Sequence, residues 1–182
     1  MYWYSSKKNI SKWLPLFLIA GLFSCKPDIK DTGSRYFDLT GYFKKDCQHL
    51  DHQNPQVTKT VGYNDHTETK KIRVKNWEKE LELFSGSDIN KPAWRQSYNI
   101  QEDSTQLTYT AKTPEVRTKL IQIKKRGDAV KSIYIINQEH NILYESTEKL
   151  TYVADSLYQI DKVQKVKFLG TNKYLIKGVI DQ

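Results

Sequence analysis

Cys47-Gln48-His49-Leu50-Asp51-His52 is the densest run of metal-ligating side chains in the sequence. Thiolate, imidazole and carboxylate are the ligands a zinc ion takes, but a closed tetrahedral site needs four that converge. On a helix Cys47 and Asp51 align, as do His49 and His52, and the two pairs face different sides. No second cluster supplies the missing ligands, so neither a metal nor a cofactor is expected. Nucleophilic catalysis has as little to draw on. No serine stands in a Gly-x-Ser-x-Gly elbow, and His66 and His140 fall in turns with no nucleophile beside them. Glu78, Glu80 and Glu82 sit on the wet side of a helix, so no catalytic residue is nominated and the chain reads as non-enzymatic. Arg126-Gly127-Asp128 matches an adhesion tripeptide, yet Gly-Asp between two strands is also what a tight hairpin requires. The hairpin is sufficient. Tyrosines are frequent along the strands, and an amphipathic ring can build a ligand face. Trp94, Tyr98, Tyr134, Tyr144 and Tyr152 are therefore the candidates for a ligand- or partner-binding surface, with core and cross-strand packing as the competing use.

Cys25 carries a different chemistry. Ahead of it stand Lys7, Lys8 and Lys12, then the apolar run Trp13 to Phe23, then Ser24. Basic head, short apolar body and small residue in that order form a secretory signal. The apolar run is shorter than the roughly 20 residues needed to span a bilayer. Leu22-Phe23-Ser24-Cys25 resembles the bacterial lipobox. That resemblance implies a diacylglycerol on the Cys25 sulfur, loss of residues 1–24 and acylation of the new amino terminus. An ordinary signal peptide cut nearby and an uncleaved amphiphilic anchor are the alternative uses of the same run. With Cys25 lipidated, Cys47 is a lone thiol; a disulfide between the two is the rival use in an oxidising compartment. The expected organisation is a signal peptide over 1–24, lipidated Cys25 with a polar tether over 25–35, and one domain over 36–182. The tether Lys26 to Ser34 reaches at most about 30 Å at ~3.3–3.6 Å per extended residue.

Without residues 1–24, which carry three lysines and no acid, the 29 basic and 21 acidic side chains become 26 and 21, a net of +5. The surplus is spread over Lys70, Lys71, Arg73 and Lys75, then Lys124, Lys125 and Arg126, then Lys162, Lys165 and Lys167. Such clusters can meet anionic headgroups or can guard exposed sheet edges. An exported chain with no recognition motif is not expected to bind nucleic acid.

The elements that must position these groups follow from periodicity. Leu39, Phe43, Cys47 and Leu50 fall on one face of a helix over 36–50, and Trp77, Leu81 and Phe84 on one face of a second over 77–84. Strands are expected over 57–64 and 67–74, around an Asp65-His66 turn. From Tyr98 onward alternation with short turns predicts strands over 98–101, 106–112, 116–125, 129–137, 142–146, 150–153, 157–160, 163–169 and 174–180. The last two are joined by Gly170-Thr171-Asn172. No helix-length segment separates them, so the sheet must be antiparallel. The expected class is α+β, two N-terminal helices packed on a curved antiparallel meander, as a half-barrel or a lipocalin-like sheet.

The block Asn76-Trp77-Glu78-Lys79-Glu80-Leu81, with Ser87-Asp88-Ile89-Asn90-Lys91-Pro92-Ala93-Trp94 and Phe37-Asp38-Leu39-Thr40-Gly41-Tyr42-Phe43, resembles small lipoproteins of Bacteroidota bacteria. The resemblance implies an envelope location, at the outer membrane on its periplasmic or surface face, and implies no activity. Two functions of different class fit. The first is a non-enzymatic protein that binds or scaffolds an envelope protein; the second is a carrier of an apolar ligand or lipid in a lipocalin-like cavity. With 38% hydrophobic residues the spare lining is thin, which favours the first. Replacing Cys25→Ser should release the protein from membranes into the soluble fraction; retention of that variant in the membrane pellet would refute the covalent anchor.

Overall fold

The computed structural model describes residues 34–181; the expected signal segment, Cys25 and the expected tether as far as Gly33 lie outside them. Helix α1 runs Leu39–Gln53 and buries Leu39, Phe43, Cys47 and Leu50, the face read from the sequence. It begins three residues later than periodicity places it, because Asp38 folds its carboxylate back to accept from the Gly41 amide at 2.7 Å. A side chain at position 41 would collide with that carboxylate. The glycine that weakens the helix on propensity is what admits its cap.

Strands β1 (Gln56–Tyr63) and β2 (His66–Arg73) form a hairpin around Asn64-Asp65, one residue earlier than expected, with Asn64 in the left-handed region at φ 53°. Asparagine tolerates that conformation. The second helical stretch is two short pieces, α2 (Trp77–Glu80) and α3 (Glu82–Ser85), separated at Leu81. It follows the first hairpin, so among the described residues one helix rather than two precedes the sheet. After a 3₁₀ turn at Pro92–Trp94 come β3 (Tyr98–Glu102), β4 (Gln106–Ala111), β5 (Thr118–Arg126), β6 (Ala129–His140), β7 (Tyr144–Val153), β8 (Leu157–Val166) and β9 (Gly170–Ile180).

All nine strands join one open antiparallel sheet in the order β2-β1-β9-β8-β7-β6-β5-β4-β3. The meander therefore holds seven strands, and the first hairpin closes against its last strand through pairs such as Val57 with Ile180 and Tyr63 with Tyr174. The breaks expected at 147–149 and 161–162 are not there: β7 and β8 are each one continuous strand. Instead Glu148 pairs with Lys162 across the two strands, and the ladder runs through.

One face of the sheet carries the core. Tyr152, Leu150, Ile133, Ile135, Ile121, Ile123, Tyr158 and Val57 share it by register and are buried. Helices cover them through edge-to-face aromatic pairs: Phe43 on Tyr152 at 5.1 Å, Phe84 on Tyr152 at 6.0 Å and Trp77 on Tyr158 at 5.9 Å between ring centres. Each such pair adds ~0.5–1.5 kcal/mol to the burial itself. The Tyr158 ring lies flat over Gly178, where a Cβ would overlap it. Gly178→Ala should accordingly lower stability by ~1–3 kcal/mol through overpacking, read as a lower urea midpoint at unchanged slope.

Candidate functional site

The five aromatic candidates do not form one surface. Tyr98 is buried at the sheet margin, and its hydroxyl donates to the Thr118 carbonyl at 2.9 Å. Tyr152 is buried beneath α1 and α3, and its hydroxyl donates to the Asp46 carboxylate. Neither has surface to offer a ligand; both are core. Tyr134 is half-buried on the face of the sheet that the helices leave uncovered. Tyr144, half-buried on the helix-side face at the far end of β7, donates to Glu139 at 3.0 Å. Trp94 is half-buried in the 3₁₀ turn with the Lys91 ammonium 4.3 Å above its ring. Alternation along a strand does not reveal which face the helices will cover, and that decided these placements.

Cys47 is buried on the core face of α1, and burial foremost, with Asp46, Asp51 and Glu78 adding to it, pushes its thiol up to about 12. It is an unreactive small hydrophobe. His49 turns to Asp155 at 3.5 Å and His52 is exposed. Among the described residues no three His, Cys, Asp or Glu side chains converge on a common point.

The helices leave part of the helix-side face open. Between α2, α3 and the chain that enters them lies a groove of about 590 Å³, within the range of ~300–1,000 Å³ usual for small-molecule sites. Ile160 and Ile176, paired across β8 and β9, form its floor, and Ile72, Val74 and Leu83 its apolar walls. Arg73, Lys75 and Lys79 line it together with Glu80 and Glu82. Glu80 is not free to act on a ligand. Lys59 bonds both its oxygens at 2.6 and 2.8 Å, and the Tyr158 hydroxyl donates to it at 2.7 Å. This triad pins α2 to β1 and β8 and fixes the groove wall. The free charge lining the groove is therefore cationic on balance.

A second polar cluster occupies the sheet beside the groove. Glu148, 6% exposed, meets Arg117 at 2.6 Å and Lys162 at 3.1 Å, while Arg117 also meets Glu139 at 2.7 Å. Asn137 donates to the Ser87 hydroxyl at 2.9 Å, tying the cluster to the end of α3. Every charge has a partner, so the cluster is a brace between the loop before β5, β7 and β8 rather than a reacting group. These residues and the groove escape sequence reading because they come from segments as distant as Lys59 and Lys162. No family model, curated protein or solved structure matches the chain.

Burial raises Asp46 above the usual carboxylate range; the nearby Asp155 adds to this, while the Tyr152 hydroxyl and His49 oppose it. A carboxyl that holds its proton more tightly in the fold favours folding below the ordinary carboxylate value, ~3.9. That contribution is lost as pH rises through the folded value. Asp46→Asn removes the titration but keeps an acceptor for Tyr152. Relative to the parent, the variant should gain stability as pH rises above about 4 in urea titrations; a relative loss over that rise contradicts the assignment.

Proposed function

We propose that this chain is a lipid-anchored, non-enzymatic binding protein of the bacterial cell envelope, held at the outer membrane through Cys25. In this reading the open nine-stranded sheet curves about its helices as a half-barrel, lipocalin-like in use though unclosed. Its working part is the groove between α2–α3 and the β8–β9 floor. The single observation that carries the reading is the groove's composition, an apolar floor with lining charge that is cationic on balance. That combination suits an amphiphile with an apolar chain and an anionic head. The walls Ile72, Val74 and Leu83 and the floor residue Ile176 are half-buried, so these four are additional to the closed core. A reactive reading has no such support, since Glu80 at the groove and Glu139 and Glu148 in the brace are already paired.

A second reading, a scaffold for another envelope protein, draws on the free edge of β3. Asn99, Ile100 and Gln101 are exposed there without positive charge, whereas the other edge, β2, is guarded by Lys70, Lys71 and Arg73. Strand addition is the mode such an edge allows.

Native mass spectrometry on residues 26–182 from a bacterial periplasm separates the two. The groove reading expects a co-purifying lipid-sized mass that is lost on denaturation, and lost in Leu83→Glu and Ile176→Glu variants that keep their far-UV spectrum. A bare protein mass would set the groove aside and leave the scaffold.

A further inference from the structure

Two adjacent turns at one end of the sheet break the rule that large apolar side chains leave water. Ile142 and Leu143, between β6 and β7, are 87% and 69% exposed; Phe168 and Leu169, between β8 and β9, are 96% and 80% exposed. The turns are neighbours. Tyr144 pairs with Val166, and the Lys167 amide donates to the Leu143 carbonyl at 2.9 Å. Four exposed apolar side chains in one patch differ from the single exposed leucine that any surface tolerates. Phe168 also sits at φ 68°, a left-handed conformation that a bulky side chain rarely adopts. A polar or glycine residue would hold this turn at less cost, so the phenylalanine is not there for the turn.

The surroundings indicate what the patch meets. No acid lies in either turn. The Lys167 ammonium is 5.5 Å from the Phe168 ring centre, and Lys165 and Lys173 follow on the strands below. Glu145, the nearest acid on β7, is engaged by His140 at 2.9 Å. Counted from the last pair of the β8–β9 ladder, Val166 with Gly170, Lys165 is one residue back and Lys173 and Tyr174 three and four, about 10–13 Å at ~3.3 Å per residue, while Tyr144 is level with Val166. Interfacial elements bury their apolar side ~5–10 Å into the headgroup and acyl boundary, and cations and tyrosines belong at headgroup level. We infer that the β6–β7 and β8–β9 turns are a membrane-docking tip, inserting Ile142, Leu143, Phe168 and Leu169 into an anionic bilayer with Lys165, Lys167 and Lys173 among the headgroups.

The tip supplements the Cys25 lipid and does not replace it as the anchor, so the test reads depth at the tip rather than attachment. The full chain is prepared with Phe168→Trp, with Ile142→Trp, and with Asp128→Trp in the β5–β6 turn at the other end of the sheet. Emission of each is compared with the unsubstituted chain in vesicles of phosphatidylcholine and phosphatidylglycerol, with and without bromine on the acyl chains. The expected result is a blue shift and quenching by acyl bromine at positions 168 and 142, and neither at 128. Indoles at 168 and 142 that stay in water while the chain pellets with vesicles would overturn the tip, as would a chain that does not pellet. A blue shift that grows with protein concentration before vesicles are added would overturn it too, in favour of a second copy. In whatever fraction of the Cys25→Ser chain still meets vesicles, quenching at position 168 supports the tip and a wet position 168 overturns it.

Discussion

The described fold depends on how α1 and the two short helices α2 and α3 hold a sheet too wide for them to cover. Phe43, Phe84 and Trp77 grip Tyr152 and Tyr158 edge to face, and the Lys59–Glu80–Tyr158 triad locks α2 at the border of that contact. The isolated four-residue helices α2 and α3 have no stability of their own. Packing on the sheet supplies it. Where the cover ends the sheet continues, and the remaining part of the same face becomes the groove.

Polar chemistry is placed to serve that geometry. Glu148 with Arg117 and Lys162 braces strands from three parts of the chain, and Asn137 carries the brace to Ser87 at the end of α3. Removing one member of such a cluster strands a charge in a poorly hydrated place, which costs far more than the cluster adds to stability. Its value is in fixing one arrangement of loop, sheet and helix. The groove then presents apolar side chains beside Arg73, Lys75 and Lys79. The tips at the other end of β7 and β8 present apolar side chains outward instead.

Much of this fold is legible in the sequence, and the parts that are not have particular causes. The buried stripe of α1 follows from Leu39, Phe43, Cys47 and Leu50 at helical spacing, and the antiparallel sheet from short turns between alternating segments. The pairing of β1 with β9 joins residues more than a hundred positions apart, and no local pattern encodes it. Charged residues within β7 and β8 read as strand ends because their partners lie on the neighbouring strand. Phe168 and Leu169 read as strand interior for the opposite reason: apolar residues are assumed to be buried, and Gly170-Thr171-Asn172 looks like the turn. The true turn is Lys167 to Leu169. Local expectation fails at the tips, where exposed apolar residues have a use outside the fold. Tyr98 and Tyr152 show the converse, amphipathic side chains whose hydroxyls find partners within the core.

The groove is the centre of the functional account, and amide chemical-shift mapping tests it most directly. Titrating a single-chain anionic lysophospholipid into the isotope-labelled protein should move resonances of Ile72 to Asn76, Lys79 to Leu83, Ile160 and Ile176, with saturation. Saturable shifts that fall elsewhere, or no saturable shift at any concentration below micelle formation, would contradict an amphiphile-binding groove.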